Sequence, residues 1–217
     1  MCLFIVSVQC SSPNSNDKAT ERKLVSEAFN QDYYFLQTDE NGIPNAEGLV
    51  LMHSKRDSAY VDPSIITNLV VTPIWDRSTF PYEILNFKNV TDLYLGMRSF
   101  ERLPTEIVQL TKLESIDLQN SNLKYLPDNI DELKELREIS LLLSNVEELP
   151  KSICNLNSLK RLHLGGTKIK ELPNCLYQLN ELKEFIFFYE EGEFSSELKE
   201  QLESLKIKMP NCKFILS

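Results

Sequence analysis

Asp117, Ser140 and His163 stand at 23-residue intervals. They are the residue types of a hydrolytic relay, in which serine attacks, histidine carries the proton and aspartate orients the histidine. The same interval adds Tyr94 before them and Ile186 after them. On successive parallel strands about 4.8 Å apart, Ser140 would lie between the other two, with Asp117 about 10 Å from His163. A relay needs its histidine in the middle, bonded to both partners. The order therefore excludes a triad, and the row reads as solvated residues on a binding face, with no catalytic residue assigned. Metal chemistry is as poorly supplied. The chain holds only His53 and His163 and no Cys-x-x-Cys, so neither a zinc site nor any other metal or cofactor is expected. Asp39-Glu40-Asn41-Gly42 begins like a calcium loop but lacks the later ligands and closing glutamate, and reads as a plain turn.

Cysteine offers a different chemistry. The apolar stretch Cys2 to Val8 is followed by Gln9-Cys10 and then by the polar run Ser11 to Asp17, which has the composition of a tether. This resembles the end of a bacterial lipoprotein signal peptide, which implies that Cys10 is the lipidated residue and that the protein sits in the cell envelope or at the cell surface. The alternative is a disordered or core-tucked N-terminus, with a cytoplasmic location. With Cys10 set aside, Cys154, Cys175 and Cys212 are an odd number. Cys154 follows Ile153 whereas Cys175 precedes Leu176, so the two are not opposites on a ladder, and free buried thiols are expected.

The elements that would position these residues are announced by Leu103-Pro104, Leu126-Pro127, Leu149-Pro150 and Leu172-Pro173, each pair 23 positions after the last. A fixed period of this length marks stacked units that bury their apolar edges only against their neighbours. In register, Val90, Leu113, Leu136, Leu159 and Leu182 open the units. Leu93, Ile116, Ile139, Leu162 and Phe185 follow, then Leu95, Leu118, Leu141, Leu164 and Phe187. Alternation as in Leu162-His163-Leu164 predicts a strand, and the looser spacing of Leu172, Leu176 and Leu179 predicts a helical turn on the return path. The pattern resembles the leucine-rich repeat family over roughly residues 66–190. That resemblance implies an α/β solenoid with parallel strands on the concave face, short helices or 3-10 turns on the convex face, and recognition of a protein partner without enzymatic activity. Where such repeats usually carry asparagine, this chain has Arg98, Ser121, Ser144, Thr167 and Glu190. The hydroxyls can bond locally to the backbone, while Arg98 and Glu190 mark less regular ends.

Residues 1–20 thus read as signal remnant and tether, 21–65 as an N-terminal cap, 66–190 as repeats, and 191–217 as a helix-strand cap. Within the first cap a helix is expected over Glu21 to Phe29, with strands over Tyr33 to Thr38 and Gly48 to His53. A degenerate first unit places its strand at Ile66, Leu69 and Val71. At the far end Ser195 or Ser196 caps a helix carrying Leu198, Leu202 and Leu205, before a strand from Cys212 to Leu216.

Function is expected on the outward strand positions. Leu142-Leu143 and Phe188-Tyr189 flank a notch left by Gly165-Gly166, and Met97 lies in the same row. Alongside run Asp92, Ser115, Glu138, Arg161 and Glu184, with Arg161 expected to pair across strands with both glutamates. The candidate partner-binding residues are accordingly Tyr94, Met97, Asp117, Leu142, Leu143, Arg161, His163, Gly165, Gly166, Phe188 and Tyr189. A cytosolic regulatory scaffold remains an alternative, as does a carbohydrate or cell-wall binder using Tyr94, Asp117 and Tyr189. The formal charge is -9 from 23 basic and 32 acidic residues, which disfavours a phosphate-backbone partner and hence nucleic acid. No run of 18 apolar residues occurs in the sequence, so no transmembrane helix is expected.

Overall fold

A computed structural model describes residues 8–10, 33–38, 44–50, 52–53, 57–58, 66–70, 72–73, 78–80, 82–188 and 195–216. The period appears as a stack of coils, each giving one short strand to a common sheet. The repeat strands are β6 (Ile66–Val70), β8 (Asp92–Tyr94), β9 (Ser115–Asp117), β10 (Glu138–Ser140), β11 (Arg161–His163) and β12 (Glu184–Phe187). All pair in parallel with like positions opposed, Leu93 on Ile116 and Ile139 on Leu162. The last strand, β13 (Lys213–Leu216), adds in parallel to β12, and β1 (Val8–Cys10) pairs antiparallel with β6.

The return path is a 3-10 spiral, not an α-helix. Ile107 N–H donates to Pro104 O at 3.1 Å, Leu110 N–H to Ile107 O at 3.0 Å, and Leu113 N–H to Leu110 O at 2.9 Å. A helix of three residues per turn aligns side chains three apart, which is the spacing of Ile107, Leu110 and Leu113. All three are buried. The equivalent turns at Pro127, Pro150 and Pro173 bond the same way. Proline supplies the accepting carbonyl there and loses nothing by lacking a donor. In the expected asparagine row, Ser121, Ser144 and Thr167 are buried and donate to the carbonyls of Leu118, Leu141 and Leu164 at 2.6, 2.7 and 2.7 Å. Arg98 is 1% exposed, and its carbonyl accepts from Asn122 N–H. Glu190 lies outside the described residues.

Beyond the repeats, Ser195 caps α1 (Ser196–Lys208) by accepting from Leu198 N–H, and Leu198, Leu202 and Leu205 are buried. Upstream, β2 (Tyr33–Thr38) pairs antiparallel with β3 (Pro44–Val50), which starts four residues earlier than the sequence suggests. Met52–His53 forms a separate strand, β4, paired with β5 (Asp57–Ser58), and β7 (Thr72–Pro73) joins β2. The helix expected over Glu21 to Phe29 and the turn at Asp39 to Gly42 lie outside the described residues.

The cysteines correct one expectation. Cys154 and Cys175 are not free thiols but a disulfide, with Cα atoms 5.8 Å apart, inside the normal bridging range. They lie 21 positions apart, not 23. In a tight 3-10 turn that two-position offset aims the residue after one inward aliphatic at the residue before the next. Cys212 is a free thiol, and burial pushes it up to about 11.

Candidate functional site

The sheet brings Tyr94, Asp117, Ser140, His163 and Ile186 into a single row, each the direct partner of the next. Ser140 lies between Asp117 and His163, and the His163 ring bonds away from it, to Glu184 Oε1 at 3.0 Å. Asp117 spends its carboxylate on its own turn, accepting from Gln119 N–H at 2.9 Å and Gln119 Nε2 at 3.1 Å. The three residues form no proton relay.

The expected notch is also corrected, because the chain fills it. A Cβ on Gly165 would lie 2.1 Å from Phe188 Cε1, and one on Gly166 would lie 2.6 Å from Leu143 Cδ2. Glycine at these two positions admits the neighbouring side chains rather than a ligand. The register itself holds, with Leu143 N–H donating to Gly165 O and Gly166 N–H to Phe188 O. Leu142 is half-buried beside them, and Tyr189 lies outside the described residues.

What the face presents instead is an exposed row whose backbone conformation the sequence concealed. Met97, Asn120, Leu143 and Gly166 all have left-handed backbones, with φ of 60°, 52°, 57° and 69°. Asparagine and glycine tolerate that conformation; methionine and leucine do so only under strain. Met97 is nonetheless 48% exposed and Leu143 53%. Tyr94, on the neighbouring row, is also exposed.

Below this rim lies a groove of about 470 Å³ across β8 to β11. Its charges are partly matched within the chain. Arg137 bonds Glu114 at 2.8 Å, and Arg161 bonds Glu138 through Nε at 2.7 Å and also through Nη2. Arg161 does not pair with Glu184 as expected; His163 and Lys213 take that carboxylate. Burial pushes the Asp117 carboxyl above its usual range, and the Glu138 charge adds to this against the Gln119 amide. Burial likewise raises the Tyr94 phenol, reinforced by Asp92, Asp117 and Glu138. Among the described residues no group of three or more metal-ligating side chains gathers, and no helix is long and apolar enough to cross a membrane.

The stacked coils, the parallel sheet and the 3-10 returns define a leucine-rich repeat solenoid. No family model and no curated protein sequence matches the chain. Among solved structures it is similar to an LRR protein of Leptospira interrogans, with a TM-score of 0.53, 28% identity, and coverage of 64% of this chain and 40% of that one. An internalin from Listeria monocytogenes aligns at 16% identity and a TM-score of 0.49, over 62% of this chain and 36% of its own. The chain therefore spans well under half the length of either structure. Its fold is that of a leucine-rich repeat protein.

Proposed function

We propose that this chain is a non-enzymatic interaction module whose concave face receives a segment of a protein partner. The observation that carries this reading is the share of exposed apolar groups that falls on this face. Three of the six large apolar side chains exposed among the described residues, Tyr94, Met97 and Leu143, stand on this face. Clustered exposed apolar groups mark contact sites. Asp117, Leu142, Arg161 and His163 complete the contact surface, while Gly165, Gly166 and Phe188 shape it by packing together. The test is capture from the source organism with the native chain and with Tyr94→Ala/Leu143→Asp, whose side chains are both exposed. A protein held by the native chain and lost by the variant supports the reading. Equal capture, or capture of glycans alone, refutes it.

We also propose that the protein works outside the cytoplasm, anchored through Cys10. The Cys154–Cys175 bridge supports export, because disulfides persist in oxidising compartments. One observation favours a second reading for the anchor. Val8, Gln9 and Cys10 pair with Leu69, Asn68 and Ile66, and cleavage before Cys10 would remove Val8 and Gln9 from that strand. The intact mass of the protein from its source decides between them: a chain beginning at a lipid-modified Cys10 supports the anchor, and a chain retaining Met1 excludes it.

A further inference from the structure

The charges of the groove are segregated along it, not scattered. Asp92, Glu114 and Asp117 belong to the β8 and β9 coils, and Lys160 and Arg161 to the β11 coil. The internal ion pairs Arg137–Glu114 and Arg161–Glu138 neutralise the middle. Three groups are left over. Asp92 accepts only a hydroxyl hydrogen bond, from Thr91 Oγ1 at 2.7 Å, and Asp117 only the two donors of Gln119. Neither forms an ion pair among the described residues. Lys160 forms none at the other end, and it is exposed. Tyr94 stands in register with Asp117, so the acidic end also offers an aromatic surface of the kind that cations favour.

We propose that the groove takes an extended segment of a protein partner whose basic side chain docks at Tyr94, Asp92 and Asp117 and whose acidic side chain docks at Lys160. The proposal rests on the concave face being the interaction surface. Spacing fixes the segment's form. From between β8 and β9 to β11 is about 12 Å at 4.8 Å per strand, which an extended chain crosses in about four residues. The occupant is thus a short linear segment with opposite charges about four positions apart, crossing the strands. Wrong partners are rejected by the same arrangement, since a uniformly charged segment meets repulsion at one end.

The test selects displayed random dodecapeptides on the full chain and then measures the enriched peptides against three variants: Asp92→Asn/Asp117→Asn, Lys160→Gln and Leu143→Asp. Thermal melts confirm that each variant is folded. The proposal predicts peptides with a Lys or Arg and an Asp or Glu three to five positions apart. Their affinity should fall about tenfold or more in each charge variant and weaken with added salt. Peptides without separated charges, or with affinity unchanged by the charge variants, overturn it. If such peptides are still lost by Leu143→Asp, the concave-face reading survives and only the polarity is wrong. If that variant also retains them, both readings fail. A selection yielding no peptide at all counts against the polarised groove and leaves the concave face to the capture experiment.

Discussion

Asp117 shows how one residue can weaken the fold at neutral pH. A carboxyl whose folded-state pKa lies above its unfolded value binds its proton more tightly in the native chain. The stabilisation is complete below the unfolded value of 3.8 and is lost as pH rises through the raised one. At neutral pH the ionised Asp117 is therefore a net burden. Asp117→Asn keeps an acceptor for Gln119 N–H and should melt higher than the native chain at pH 7, with the gap closing as pH falls through the raised folded-state value towards 3.8. Thermal unfolding across that range checks it, and a gap that ignores pH would refute it. Leu143 makes the same point through its backbone. Left-handed φ holds a bulky residue at a cost of about 1–3 kcal/mol, of which glycine recovers part. Leu143→Gly should be neutral or stabilising by about 1 kcal/mol in urea unfolding; a clear loss of stability would make Leu143 a packing residue instead. Asn120 and Gly166 in one row carry the signature of left-handed backbone. Met97 and Leu143 hid it, being types that seldom adopt that conformation unforced.

At the scale of elements, the strands and the 23-residue period were plain in the sequence because every inward position repeats. The return path was only half legible: spacing of three in Ile107, Leu110 and Leu113 distinguishes a 3-10 spiral from an α-turn, whereas Leu172, Leu176 and Leu179 taken alone do not. The disulfide was hidden because a register-only argument pairs residues 23 apart, and side chains on a tight turn reach across a different diagonal. Its loop of about 21 residues should contribute about 3 kcal/mol. The native chain should therefore melt lower in reductant, while Cys154→Ser/Cys175→Ser should melt at that lower temperature regardless of reductant. The C-terminal helix supplies its own device. Gln201 Oε1 accepts from Leu172 N–H at 2.9 Å and Gln201 Nε2 approaches Leu172 O at 3.5 Å, so one amide side chain substitutes for the backbone of a further coil. Gln201→Ala should destabilise by about 1–2 kcal/mol, against almost nothing for the neighbouring exposed Glu200→Ala; equal effects would deny Gln201 that role.

The repeats are tied to one another chiefly by interactions one period long. Lys124–Glu101, Arg137–Glu114 and Arg161–Glu138 each tie a coil to the next, as do the backbone ladder and the aliphatic columns, so stability is built from neighbour terms. The fold could be read before the structure because repetition multiplies a weak local signal. The site could not be read so fully. Function depends on what varies between repeats, and variable positions carry no internal check: the Gly165–Gly166 notch looked open in sequence because nothing there revealed that Phe188 and Leu143 turn into it. The central claim, that this variable concave surface is where a partner binds, is tested most directly by site-specific photocross-linking in the source organism. One probe replaces Leu143 on the concave side, and another replaces Ile207, which is 80% exposed on α1. Recognition on the concave face gives a discrete protein adduct from position 143 and none from 207. An adduct from 207 alone would contradict it and move recognition to the C-terminal helix.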